Sequence, residues 1–483
     1  MVLQKIKRFT DGRQTKAFLV GGFVRDHLLR RLTSDIDIAV TEDAPEYGKR
    51  LAGEIGGTFV LLDDINRIAR VVIDTDRNSA GFSHFNLDFS TIQSDIKTDL
   101  ARRDFSINSM AIDLTDFLER PDQPELIDPF QGQKDLQVKI IRAVTDDIFR
   151  SDPARLLRVF RLAAELNLTL DENTRRLVQR DAAELSRVAG ERAREELVKL
   201  LASSEAALKL REMDELGILT VLFPELEHSR DVEQPKEHHW DVLNHSLETV
   251  SAAGSIMRSG SCAFITSAIL SEVPWSDSLA EHFNSPVSKD TSHAVLVKLA
   301  ALLHDIAKPE TRIIDKERIR FFGHNEQGAV TVVKIMERLR FSNKDIRLVE
   351  CMVQNHMRPT QMSQTGLPSR RAIYRFFRDT GAVAIDILFL SLADHLAARG
   401  PNLDPQQWSW HLQQVKYTLE QYSLDKSLVA PAKLVNGYDL MNELGLKPGP
   451  RLREILESVR EAQAAGEICN RGEALSYIKN RLI

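Results

Sequence analysis

Asp35 and Asp37, one residue apart, follow a diglycine, Gly21-Gly22, within a chain of 483 residues. The alternation in residues 35–40 predicts a strand, so both carboxylates project from one face. Paired carboxylates on a rigid face suit a Mg²⁺ ion bridged to substrate phosphates. The apolar run 17–20 predicts a short buried strand entering the diglycine turn. Val24, Leu28 and Leu29 predict a helix leaving it. A diglycine lets backbone approach a ligand closely, and a helix N-terminus offers unpaired N–H groups to an anion. Either half alone fits a tight turn or a solvated strand edge. In this order they indicate a nucleotide-handling site.

Two further clusters extend that chemistry. Arg102-Arg103-Asp104 precedes Asn108 by one turn. Arginines give bidentate contacts to triphosphate oxygens, while Asp104 and Asn108 suit ribose hydroxyls. In residues 152–161 a helix would bury Leu156, Leu157 and Phe160 and leave Arg155, Arg158 and Arg161 on the opposite side. Asp152 stands one turn before Arg155, with Pro153 suited to the first turn. An Asp and an Arg on a rigid helix offer an acceptor and donors to a base edge. Taken alone, each cluster also fits a solvated charge stripe with i,i+3 pairing.

The elements that must position these groups form a small α+β head on a long helical body. Segments 71–73 and 85–89 read as strands with turn material at 74–83 between them. From about residue 146 helical periodicity dominates, and 255–290 reads as a partly loop-like insertion. The expected division is a head at 1–145, a helical neck at 146–222, a further helical domain at 223–425 and a tail at 426–483. Three widely spaced cysteines, Cys262, Cys351 and Cys469, argue against a disulfide framework or a zinc module. No run approaches the ~18 apolar residues of a membrane span, and the N-terminus lacks a secretory layout. A cytoplasmic protein is expected. The net charge of −6 means that any phosphate-binding surface must be local.

Six segments occur in one order: LVGGFVRDHLL (19–29), SDIDIAV (34–40), DLARRDFSINSMA (99–111), IDPFQGQKDLQVKIIRAV (127–144), DPARLLRVFRLAAEL (152–166) and GERAREELVKLL (190–201). This pattern resembles the class II tRNA nucleotidyltransferase/poly(A) polymerase family, of the DNA polymerase β-like superfamily, over about residues 17–200. The resemblance implies that Asp35 and Asp37 bind catalytic Mg²⁺, with Asp88 as a candidate third carboxylate or an ordinary strand residue. It implies that Gly21, Gly22 and Arg25 shape the triphosphate site and that Arg103, Asp104 and Asn108 position phosphate and ribose. The family's Glu-Asp-x-x-Arg motif falls on Ser151, Asp152 and Arg155, so Asp152 and Arg155 match and Ser151 replaces the glutamate. Arg158 and Arg161 continue that helix into the nucleotide site.

Further on, His245, His304-Asp305 and Asp394 resemble the HD metal-dependent phosphohydrolase superfamily. His and Asp on separate helices converge on divalent metals, and His324 and His356 are candidates to complete a dinuclear centre. His238, His239 and His395 are expected to be structural or superficial. The implied activity is template-independent addition of CMP and AMP, from CTP and ATP, to a tRNA 3′ end. A phosphatase or 2′,3′-cyclic phosphodiesterase activity is implied for the HD domain. CC-only or A-only addition is the alternative, with poly(A) synthesis behind it. A different class, an HD phosphohydrolase whose head only binds nucleotide or RNA, is opposed by the intact Asp35 and Asp37.

Overall fold

The computed structural model describes residues 2–13, 15–74, 83–316, 318–363, 366–424 and 432–481. The chain forms two compact units, 1–187 and 188–483. Their division falls inside the stretch expected as a neck. Most of the turn expected at 74–83 lies outside the described residues.

The first unit is built on a seven-stranded sheet. Its strands are β1 (Ala17–Val20), β2 (Asp35–Val40), β3 (Thr58–Asp63), β4 (Ile68–Asp74), β5 (His84–Thr91), β6 (Ala111–Asp113) and β7 (Leu126–Ile127). They lie in the order β3-β4-β5-β2-β1-β6-β7. Among the described residues of this sheet, β2 and β5 are the parallel pair. A parallel pair requires a crossover, supplied here by the Ala44–Ile55 helix and the β3–β4 hairpin. That helix starts at Asp43, whose side chain accepts from the Glu46 N–H, and ends at Gly56 with φ +75°. Its Tyr47 is fully buried and packs on Phe9 and Phe89, with ring centroids 5.1 and 5.3 Å away.

Strand periodicity then divides the sheet chemically. Ile36 and Ile38 of β2 are buried, as are Leu87 and Phe89 of β5. Asp35 is exposed and Asp37 partly so. The apolar residues fix the register, because a one-residue slip would exchange core and surface. The carboxylates inherit that register.

The second unit is helical around three mostly buried helices, Val242–Ile256, His293–Leu303 and Ala384–Arg399. Helical periodicity does not disclose one element, a hairpin pairing Arg312–Asp315 with Arg318–Phe321. The helical stretch Arg370–Asn402 is long and apolar enough to cross a membrane, yet 72% of its apolar window is buried within the protein. It is a core element, which accounts for its composition.

The tail has its own apolar cluster, including Val435, Leu440, Ile455, Val459 and Ile478. Its Pro450–Ala464 helix meets the Arg370–Thr380 helix through charge. Tyr374 Oη donates to Glu457 at 3.0 Å, Arg378 donates to Glu457 at 2.9 Å, and Arg375 donates to Glu461. The Arg375 guanidinium holds Glu461 below the usual carboxylate range. A depressed carboxylate stabilises the folded state above its unfolded pKa of about 4.3, and that contribution disappears as pH falls through the folded value. Amide exchange in residues 450–464 is therefore expected to be slow at pH 6 and to accelerate below about pH 4 relative to residues 242–256. The Glu461→Gln variant should lose most of that pH dependence.

Candidate active site and metal centre

In the β2–β5 register Asp35 lies opposite Asn86 and Asp37 opposite Asp88. Asn86 Nδ2 donates to Asp35 at 2.8 Å. On the other side of β5, Arg70 of β4 opposes Asp88 and donates to both its oxygens, at 2.6 and 2.7 Å. Asp37 Oδ2 accepts from the Gly22 N–H at 3.0 Å. This last contact ties the diglycine turn to the carboxylates.

Gly21 has φ +64°, and a Cβ there would sit 2.9 Å from both Asp37 Oδ2 and Arg103 Nη1. Position 21 thus demands glycine for conformation and for space. Burial pushes the Asp37 carboxyl above its ordinary value, Asp88 adds to the rise, and Arg103 opposes it. Three carboxylates on one face make an all-oxygen donor set of the kind hard divalent cations take. Such an ion would also relieve their repulsion.

A chain of hydrogen bonds continues from this turn. Arg25 donates to Asn108 Oδ1 at 2.8 Å, and Asn108 Nδ2 donates to Asp104 Oδ1 at 3.0 Å. Arg158 donates to Asp104 Oδ2 at 3.3 Å. Asn108 ends a 3₁₀ turn, Ser106–Asn108, that Asp104 precedes, so the two do not share the expected helical turn and are brought together by their hydrogen bond. Burial raises the Asp104 pKa, but Arg158, Asn108 and the Phe105 N–H outweigh it and hold the carboxyl below its usual value.

The Arg155–Leu166 helix buries Leu156, Leu157 and Phe160 as expected. Arg155 donates to the Arg102 carbonyl at 3.3 Å and lies 3.8 Å from Asp152. Its reach to Ser151 Oγ is 3.5 Å. Arg161 pairs with Glu165 at 2.7 Å, one turn along the same helix. Sequence reasoning passed over Arg70 and Asn86. The signal for Asn86 was its spacing from Asp88, which repeats that of Asp35 and Asp37.

In the second unit, residues from five helix segments meet. His245 belongs to the Val242–Ile256 helix, His304-Asp305 follow His293–Leu303, and Asp394 belongs to Ala384–Arg399. His324 begins the His324–Arg338 helix and His356 follows Asn343–Asn355. His245 Nε2 lies 3.1 Å from Asp394 and 3.4 Å from Asp305 Oδ2. His304 Nε2 lies 3.2 Å from the same Asp305 oxygen. The other oxygen of Asp305 is 3.5 Å from His324 Nε2 and 3.9 Å from His356 Nε2. Asp305 thus stands between two groups of candidate ligands, the place a carboxylate shared by two metals would take.

Three imidazoles are oriented alike. The Nδ1 atoms of His304, His324 and His356 each donate to the carbonyl three residues earlier, Ala301, Phe321 and Val353, at 2.9, 2.7 and 2.7 Å. This leaves Nε2 facing the centre, the arrangement by which a protein fixes a ligating tautomer. Burial pushes His356 down to about 4, keeping it neutral near pH 7. Burial opposes a charge on His304, but Asp305 and Asp394 outweigh it and raise that ring to about 10. His304 and Lys308 hold Asp305 well below the carboxylate range despite its burial. The centre opens into a cavity of about 600 Å³ lined in part by Lys308, Arg320, Phe322 and Arg399. His238 and His395 also line it, a more specific place than the structural or superficial role expected of them.

A mixed sheet with abreast carboxylates beside a diglycine turn defines a nucleotidyltransferase head, and the His/Asp centre defines an HD domain. Family models agree. "Poly A polymerase head domain" matches residues 17–142 and "HD domain" matches 242–399. "Probable RNA and SrmB- binding site of polymerase A" matches 167–229, and tRNA nucleotidyltransferase domain 2 matches 323–478. The A-adding tRNA nucleotidyltransferase of Deinococcus radiodurans is 31% identical over 96% of this chain and 95% of its own. The CC-adding tRNA nucleotidyltransferase of Thermus thermophilus is 30% identical over 96% and 93%. The Thermotoga maritima CCA-adding enzyme, solved with tRNA, shares the fold with a TM-score of 0.61 at 22% identity, over 100% of this chain and 95% of that one. The chain belongs to the tRNA nucleotidyltransferase family and carries an HD domain.

Asn108 joins Arg25 to Asp104, so Asn108→Ala should weaken nucleotide handling by about one charge-assisted hydrogen bond. At about 1.5 kcal/mol that is a roughly tenfold rise in nucleotide KM, measurable by steady-state incorporation.

Proposed function

We propose that the head transfers nucleotidyl groups from CTP and ATP to the 3′ end of tRNA without a template, adding or repairing CCA. The observation that carries this reading is the in-register set of Asp35, Asp37 and Asp88 beside the Gly21-Gly22 turn. Mg²⁺ held by Asp35 and Asp37 would supply activation of the RNA 3′-hydroxyl and charge neutralisation at the triphosphate. Gly21 and Gly22 leave room for phosphate, and Arg25 and Arg103 counter charge that develops there. Asp104 and Asn108 present an acceptor and donors to ribose. Asp152 and Arg155 face the base edge as a protein counterpart of a pairing base, while Arg158 fixes Asp104 and Arg161 extends the basic side of the helix. Asp88, oriented by Arg70, completes the oxygen set. A cytoplasmic location belongs to the same reading.

A second reading, addition of CC alone or A alone, has its own support. The two relatives above at 30% identity or more are an A-adding and a CC-adding enzyme aligned over nearly their whole length, and Ser151 departs from the family's glutamate. Purified protein should be given tRNA ending before CCA, after C and after CC, with CTP, ATP or both. Extension of all three primers to CCA supports the full activity; extension of the first two to CC and no further identifies a CC-adder, and extension of the CC primer alone by A identifies an A-adder. Asp35→Ala and Asp37→Ala should each lower incorporation by at least about 10³-fold. Incorporation surviving in both would leave the head as a binding module.

For the HD domain we propose metal-dependent hydrolysis of phosphate esters, including 2′,3′-cyclic phosphates, with His245, His304, Asp305 and Asp394 holding one divalent ion. Asp305, His324 and His356 would hold a second, a reading supported by their proximity. Arg320 and Arg399 on the cavity wall offer charge to an anionic substrate, beside Glu237 of the same wall. His304→Ala and Asp305→Ala should abolish phosphatase turnover while primer extension continues. Unchanged phosphatase activity in both would refute the assignment.

A further inference from the structure

Asp386 is fully buried on the Ala384–Arg399 helix, among the buried Ile387, Leu388, Phe389 and Leu390. A carboxylate in such surroundings must be compensated by charge or strong hydrogen bonds. Among the described residues its ion-pair partners are two imidazoles. His282 Nε2 lies 2.7 Å from one oxygen and His293 Nδ1 lies 2.7 Å from the other. The two rings are close, with centroids 4.3 Å apart, so protonating both would set two cations side by side. Their side chains keep 18% and 13% exposure, which leaves the group open to water on one side.

The three residues come from three places in the chain: the Asp277–Asn284 helix, the first residue of His293–Leu303, and Ala384–Arg399. Their donor atoms all lie within 4.8 Å of one another. Two imidazole nitrogens and a carboxylate form the donor set that borderline divalent ions such as Zn²⁺ favour. Because each Asp386 oxygen lies against an imidazole, its second oxygen can take the fourth position of a closed structural site. The group is distinct from the HD centre. Asp386 precedes Asp394 by eight residues on one helix, about 12 Å along its axis at 1.5 Å per residue, and the two sets share no histidine.

The surrounding segment gives a second reason for such a clamp. Between the Val242–Ile256 and His293–Leu303 helices, the Ser267–Glu272 helix buries none of its residues and Asp277–Asn284 buries only Phe283. The segment is otherwise anchored by a few buried side chains, among them Cys262, Val273, Phe283 and Val287, and metal ligation would add a further attachment.

We propose that His282, His293 and Asp386 form a structural metal site for Zn²⁺ or a similar borderline divalent ion. It fastens the segment between residues 257 and 292 to the helix that also carries Asp394. The site is separate from both catalytic centres, and its metal has no part in turnover.

The test uses the full-length protein, stripped of metal, reloaded with Zn²⁺, desalted and measured for zinc by mass spectrometry. His282→Gln and His293→Gln should each retain one equivalent less than the parent protein. Both keep an amide able to donate to Asp386, and circular dichroism checks that they fold. His304→Ala should lose zinc from the HD centre and retain the equivalent assigned here. Zn²⁺ should also slow amide exchange in residues 277–284 of the parent but not of His293→Gln. Equal zinc content in the parent and both glutamine variants would overturn the proposal and leave the histidines as neutral donors to Asp386.

Discussion

The head depends on one strand pairing. β2 and β5 run parallel with Asp37 abreast of Asp88 and Asp35 abreast of Asn86. Holding carboxylates this close costs electrostatic energy, which the fold offsets with neighbours rather than with distance. Arg70 takes both oxygens of Asp88, Asn86 donates to Asp35, and the Gly22 N–H donates to Asp37. The opposite side of the same strands supplies the counterweight through Ile36, Ile38, Leu87 and Phe89, all buried. Strand alternation thus lets one pairing serve both the core and the site.

The strand order decides what else reaches that pairing. β1 lies between β2 and β6, so the diglycine turn leaving β1 meets Asp37, and the 3₁₀ turn entering β6 brings Asn108 to Arg25. Asp104 then passes the connection to Arg158 on the following helix. Arg25, Asn108, Asp104 and Arg158 are consequently coupled through hydrogen bonds, a preorganisation of the kind that lowers the cost of binding.

The HD centre reaches the same end by other means. His304 and His356 stand just past helix C-termini, where the last carbonyls of a helix need partners from outside it, and the carbonyl three residues back accepts from Nδ1. His324 uses the Phe321 carbonyl at the end of the 312–321 hairpin. In each case backbone that must be satisfied anyway orients an imidazole. Asp305 gains its low pKa from His304 and Lys308, so charge and geometry in this centre have one origin.

The sequence by itself determined the local elements and the chemistry they carry. Alternation gave β2 and the shared face of Asp35 and Asp37. Gly21-Gly22 marked the turn, and the spacing of Leu156, Leu157 and Phe160 gave the helix with its basic side. The order of His245, His304-Asp305 and Asp394 was enough to indicate a metal centre. Tertiary structure alone decided partners that are distant in sequence: Arg70 on Asp88, Asn86 on Asp35, Arg25 on Asn108, and the meeting of His282, His293 and Asp386. Periodicity and turn residues are local properties, fixed by backbone sterics over a few positions. Which strand lies beside which, and in what register, follows from burying the whole apolar set at once. Side chains of Asp88 or Asp386 acquire their meaning only from that global solution.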